Sequence, residues 1–232
     1  MNLEYLETRM LAKLPIFVDN ITIHSPKLID IAEVGIKNYQ EKVSSCIIDK
    51  KVLANPINND IDDYDVFLMF LIQHNEFITD FLDSLYFFTK QKFEVVEQNN
   101  DLLFFCEEIT LGRHNYKDFV NSIKIANCIE GVETGEELDE FDRRVLEAEK
   151  KLKEKENENA EHVPFKDLVS SVANMGDNNL NILNIWDLNI FTFYDQLKRG
   201  QKKEAYFIAL KQLLAGVEPK DVKLEYYIQK LD

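Results

Sequence analysis

The residues best equipped for chemistry are His114 in LGRHNYKD, with Arg113 and Asp118 beside it, the cysteines at 46, 106 and 128, and the carboxylates Asp60, Asp62, Asp63 and Asp65. A general base needs a nucleophile and an orienting partner within hydrogen-bond reach, and the linear sequence assigns neither to His114. The plainer reading is a loop histidine ahead of a helix. His74, between Gln73 and Asn75, reads as a polar break in an apolar helix. The aspartates at alternate positions suggest an oxygen-ligand calcium loop, yet the register starting at Asn58 puts Asp63 where glycine is required and Met69 where the bidentate glutamate belongs. They are expected instead to cap the next helix and favour its positive end. Zinc sites need Cys or His pairs at short spacing, and no two such residues here lie within five positions of one another. The glycine patterns that cradle phosphates are also missing. Acidic residues are so abundant that no single carboxylate pair singles itself out for glycoside chemistry. No catalytic, cofactor-binding or metal-ligating residue is therefore expected, and the protein is read as a non-enzyme.

The chain has 232 residues, 45% of them hydrophobic and 11% aromatic, enough to fill a sizeable core. Only seven glycines and five prolines occur, which disfavours loop-rich and all-β architectures. A net charge of -15 repels phosphate backbones, and no basic run compensates, so nucleic acid is not an expected partner. The longest apolar run, VFLMFLI, is far short of the ~18 residues of a membrane span. The first residues, MNLEYLETRML, lack the apolar core of a secretory signal. An odd number of scattered cysteines in apolar surroundings reads as buried, reduced thiols. A cytoplasmic protein without membrane contact is the expectation.

The elements that would position any site follow from periodicity. Residues 16–24 read as a strand or a hairpin turning at Asp19-Asn20. Ser25-Pro26 should start a helix running through KLIDIAEVGIKNYQEKVSSCI, with Leu28, Ile31, Ala32, Ile36 and Tyr39 on one stripe. After the loop ANPINNDIDD, the stretch YDVFLMFLIQHNEFITDFLDSLYFF reads as one long helix at the centre of the N-terminal part. KFEVV and DLLFFCEE flank Gln98-Asn99-Asn100-Asp101 as a hairpin, and a helix over 115–129 carries Tyr116, Phe119, Ile123 and Ala126. From 131 to 162 the chain becomes highly charged, with Leu138, Phe141, Val145, Ala148 and Leu152 stepping by three and four. Beyond it, FKDLVSSVANMG reads as a short helix stopping at Gly176, Gly200 as a punctuation point, KKEAYFIALKQLLAG as a last helix ended by Gly216, and 221–232 as a short amphipathic helix or strand. The expected fold is mainly α (α+β): an N-terminal helical domain with a small antiparallel β element (1–130), a charged helical spacer (131–162) and a small all-α C-terminal domain (163–232).

The densest aromatic stretch is NIWDLNIFTFYDQLKR, residues 184–199. A helix starting near Asp187 or Asn189 places Ile190, Phe193, Tyr194 and Leu197 on one face, with Lys198 and Arg199 at its negative end. Such a stripe fits either a core or a groove that accepts a partner helix.

The order of parts resembles that of tail assembly chaperones from phages and prophages of low-GC Gram-positive bacteria. The residues that carry the resemblance are Trp186-Asp187-Leu188, then Phe191, Phe193, Tyr194 and Asp195, and finally Arg199, within roughly the last 70 residues. The Asn-, Lys- and Ile-rich usage suits an AT-rich genome. The resemblance implies a protein that coats the tape measure protein, screens its apolar helices, and recruits tail-tube protein. Its candidate partner-binding residues are Trp186, Ile190, Phe191, Phe193, Tyr194 and Leu197, with self-association as a further possibility. A structural component of a tail, or an enzyme whose site is built from distant residues such as His114, are the alternatives.

Overall fold

The computed structural model describes residues 2–48, 61–74, 76–98, 101–129, 163–175 and 179–228. The charged segment 131–162, the whole of 49–60, the hairpin residues Asn99 and Asn100, residues 176–178 with Gly176 among them, and the last four positions lie outside them.

Helix α1 (Leu3–Leu11) starts at Asn2, whose side chain accepts from the Tyr5 amide at 3.1 Å. It leads into a hairpin of β1 (Ile16–Val18) and β2 (Ile21–Ile23), turned by Asp19 in a left-handed conformation. Ile16 opposes Ile23 and Val18 opposes Ile21, so strict alternation sends all four into the core. The hairpin expected at Asp19-Asn20 is therefore present.

The next two expected helices each divide in two. Helix α2 (Leu28–Val34) stops at Gly35, whose φ of 83° is open to glycine and strained for other residues, and α3 (Ile36–Cys46) restarts from it. The break resets the helical phase: Leu28, Ile31 and Tyr39 are buried, whereas Ala32 and Ile36 are exposed. Ser25-Pro26 do not begin the helix. Lys27 occupies the N-cap, and Asp30 accepts from its backbone amide at 3.0 Å. Likewise α4 (Asp63–Gln73) ends at His74, which leaves helical geometry at φ -130°, ψ 73°, and α5 (Phe77–Thr89) follows. The break is held by rings: Phe70 lies 4.7 Å from Phe77 and 4.8 Å from His74.

A three-stranded antiparallel sheet follows, with β3 (Glu94–Gln98), β4 (Asp101–Cys106) and β5 (Ile109–Leu111) in that order. The third strand was not expected; Glu107 at φ 56° makes the tight turn that returns the chain. Helix α6 (Tyr116–Ala126) is the central element instead of α4 and α5. All but its second and third residues are buried, because α1, α3, α4, the β1–β2 hairpin and the C-terminal helix pack around it. Phe67, Phe81, Phe104 and Tyr116 form the aromatic centre, with ring separations of 4.7 to 5.8 Å.

The C-terminal part contributes α7 (Phe165–Ala173), 3₁₀ turns over Ile185–Asp187 and Pro219–Asp221, and, between those turns, α8 (Ile190–Leu214). Gly200 does not punctuate α8: the helix runs through it for 25 residues. A Cβ there would sit 2.3 Å from the Met175 sulfur, so any side chain at this position has to displace the Met175 thioether. Gly216, at φ 90°, does follow the end of α8, as expected. Of residues 221–232, expected to form a short helix or strand, Asp221 closes a 3₁₀ turn, 222–228 are irregular and 229–232 lie outside the described residues. The molecule is thus mainly helical α+β, with two small antiparallel sheets.

Candidate partner-binding surface

The aromatic stretch is anchored before it can be displayed. Asn189 is the N-cap of α8: its side-chain oxygen accepts from the Thr192 amide at 2.7 Å, and its side-chain nitrogen donates to the Met10 carbonyl at 2.9 Å. The flanking backbone pairs with the chain ahead of α2. The Leu28 amide donates to the Leu188 carbonyl at 2.9 Å, and the Ile190 amide to the Pro26 carbonyl at 2.8 Å. The Phe191 amide donates to the Ser25 hydroxyl oxygen at 3.3 Å, and Lys27 meets the Asp187 carboxylate at 3.2 Å. Residues 25–28 and 187–191 therefore zip together like a short strand pair. Leu28 and Ile31 share one apolar cluster with Ile185, Leu188 and Ile190.

The six candidate residues divide by depth. Ile190, Phe193 and Leu197 are buried, with Phe193 against Phe165 of α7 at 5.8 Å. Trp186, Phe191 and Tyr194 are half-buried and pack against the same core. Burial raises the Tyr194 pKa, as expected for a phenol whose charged form would be desolvated. Tyr39, on α3, is pushed further in the same direction, and its hydroxyl donates to Asn127 at 2.8 Å.

Beyond Leu197 the character of α8 changes. Ala209 is the one buried residue among 198–214, and Phe207, Ile208 and Leu214 are 45%, 48% and 87% exposed. Ala205, Ile208, Ala209 and Leu213 have core spacing, yet no core meets them apart from Ala209. The apolar surface continues into Val217, Leu224, Tyr226 and Ile228, and Tyr206 contacts Tyr226 and Tyr227 at 5.6 and 5.5 Å. Between these and α7 lies an open cleft of about 600 Å³ that includes Met175, Arg199, Lys203, Phe207, Tyr227 and Ile228. This exposed half lies beyond the aromatic block, in the stretch KKEAYFIALKQLLAG whose apolar spacing by itself suggests a core face. The signal available was its charge: five cations and one carboxylate, Glu204, lie between 198 and 214.

The other sequence candidates fall elsewhere. His114 is a surface residue, 63% exposed, with its Nε2 3.7 Å from the Asp19 carboxylate. His74 is exposed at the α4 end. Of the aspartates expected to cap α4 and favour its positive end, Asp63 and Asp65 do sit in its first turn, Asp62 is the N-cap residue but makes no side-chain cap hydrogen bond, and Asp60 lies outside the described residues; Asp62 and Asp65 turn to Arg113 at 3.4 and 2.7 Å, and Asp101 joins them at 3.4 Å. The Asp65 hydrogen bond, above all, holds the Arg113 guanidinium in its charged form. Only Cys46 is a fully buried thiol, its pKa pushed up to about 12 by desolvation; Cys106 is half-buried and Cys128 exposed.

The chain is thus an α+β body carrying a helix that outruns its own core. Residues 153–232 match a family model described as YomV second domain, a region that includes α7 and the whole of α8. The match suggests a phage-related protein family. No curated protein and no solved structure matches the chain. No described helix is long and apolar enough to cross a membrane.

Proposed function

We propose that the protein acts without catalysis, as a phage tail assembly chaperone that binds the apolar helices of a tape measure protein and assists tail-tube assembly. The observation that carries this reading is the group of exposed apolar residues on the second half of α8, Phe207, Ile208 and Leu214, continued by Val217, Leu224, Tyr226 and Ile228. An exposed apolar strip on a helix is the surface that a client helix covers. The resemblance of residues 184–199 to tail assembly chaperones and the family match over 153–232 support the same class. In this reading Ile190, Phe193 and Leu197 root the helix, while the client meets the exposed half together with the open edges of Trp186, Phe191 and Tyr194. The high negative charge keeps protein and client soluble.

Co-expression with a tape measure fragment should hold that fragment in the soluble fraction. Replacing Ile208 and Leu214 by aspartate should return it to the pellet without lowering the protein's own melting temperature. A client that stays insoluble beside the wild-type chain would refute the proposal.

A further inference from the structure

The three-stranded sheet borders a cavity that the exposed half of α8 does not line. Strand alternation sends Phe104 into the core and turns Leu103 and Phe105 to the opposite face, where both are half-exposed and outside the core cluster. Glu94 of β3 and Thr110 of β5 stand directly across from Phe105. Between this face and the β1–β2 turn lies a cavity of about 520 Å³, floored by Leu103 and Phe105. Its rim bears the carboxylates of Asp19 and Glu108, the side-chain amides of Asn20 and Gln98, and His114. No lysine or arginine lines it among the described residues.

One buried residue holds the rim in place. The Asn115 side-chain nitrogen donates to the Asp19 carboxylate at 3.0 Å and to the Thr110 carbonyl at 2.8 Å, and its oxygen accepts from the Gly112 amide at 3.0 Å. The hairpin turn, β5 and the loop ahead of α6 are thereby fixed around the opening before any ligand arrives. Gly112 leaves room for the floor and rim to meet: a Cβ there would lie 2.7 Å from Leu103 Cδ2 and 3.7 Å from His114 Nδ1.

The rim joins acceptors to donors, and that mixture selects the ligand. Asp19 and Glu108 repel an anion. An ammonium would use the two carboxylates and leave the amides without a role. A neutral polyhydroxylated ring uses both, because each hydroxyl donates and accepts. The C–H face of a pyranose also covers apolar surface such as that of Phe105 and Leu103. We propose that the cavity binds a saccharide, with one pyranose ring lying on Phe105 and its hydroxyls shared between Asp19, Glu108 and the amides of Asn20 and Gln98. The volume lies within the range of small-molecule sites.

Saturation-transfer NMR and calorimetry on the full-length chain test it, with the methyl glycosides of glucose, galactose, mannose and N-acetylglucosamine as probes. At least one should bind with a Kd on the order of 1 mM. Sorbitol, which has the hydroxyls but no ring face, and n-butylammonium chloride should each bind at least about tenfold more weakly. Glu108→Ala, at an exposed position, should weaken the bound glycoside about tenfold, the loss of one hydrogen bond to a charged group. Asp19→Asn, which keeps a residue suited to the left-handed turn, should weaken it too. Phe105→Ala should abolish binding; if circular dichroism shows that this variant does not fold, the Glu108 and Asp19 variants carry the comparison. Leu214→Asp on α8 should leave glycoside affinity unchanged, so this inference and the chaperone reading stand or fall separately. Failure of all four glycosides to bind overturns the inference. Equal binding of sorbitol, a preference for butylammonium, or a glycoside affinity indifferent to the rim and floor variants overturns it as well.

Discussion

Tyr39 and Asn127 show what a single buried pair contributes. The tyrosine hydroxyl donates to the Asn127 side-chain oxygen at 2.8 Å, and the Asn127 nitrogen donates to the Ile123 carbonyl at 2.7 Å, tying α3 to the end of α6. Tyr39→Phe removes the donor and leaves a buried carbonyl oxygen unpaired, so it should cost about 1–3 kcal/mol in a urea unfolding curve. A loss near zero would mean that Asn127 finds another donor. His24 gives a pH-dependent term. Burial, and next the charge of Lys90, lowers its pKa below the ordinary 6.5. The unfolded chain therefore takes up a proton at a higher pH than the folded one does. The stability due to neutral His24 is complete above about pH 6.5 and erodes as pH falls towards the lowered value. The melting temperature of the wild type should drop more between pH 7 and pH 5 than that of His24→Gln; parallel curves would remove His24 from the account. Neither effect is legible in sequence, since both depend on which segment covers the residue.

At the scale of elements, two glycines were read in the wrong sense and for one reason. Gly35 sits inside a helical pattern and breaks it; Gly200 follows a basic helix end and does not. Local propensity treats them alike, as a cost of about 1 kcal/mol relative to alanine. What separates them is their surroundings: nothing approaches the Gly35 position within 4 Å, and its backbone is left-handed, whereas Met175 lies against Gly200. Gly200→Leu should force Met175 out of its seat and cost about 1–3 kcal/mol by thermal melting. Gly200→Ala should be nearly neutral, because the helical gain offsets a small displacement of a flexible thioether. Equal tolerance of both substitutions would show that Met175 moves freely. The β1–β2 hairpin, by contrast, was legible because alternation and a turn pair specify it locally. The three-residue strand β5 was not, being too short to carry a period.

At the scale of the whole molecule, the link that matters is the one between α8 and the body. Asn189 caps the helix and also satisfies the buried carbonyl of Met10, some 180 positions earlier. Asn189→Ala removes both bonds, with an expected loss of about 2–4 kcal/mol. Asn189→Asp keeps the cap but turns an acceptor towards the Met10 carbonyl, so it should recover only part of that loss. Full recovery would show that the long-range bond contributes nothing. The same anchor lets the second half of α8 extend with its apolar residues uncovered.

Composition, periodicity and turn residues determined the class of fold, the first hairpin, most helix positions and a start of the aromatic helix at Asp187 or Asn189, of which the structure takes Asn189, since each depends on neighbours a few positions away. The resemblance carried by residues 184–199 added a phage-related expectation, which the match over 153–232 supports at that coarse level. Only the tertiary structure decided that α6 is the centre, that Arg113 gathers three aspartates, and that Ile190, Phe193 and Leu197 are buried while Phe207, Ile208 and Leu214 face solvent. A helix's apolar face is written in its sequence, but whether anything covers that face depends on segments distant along the chain.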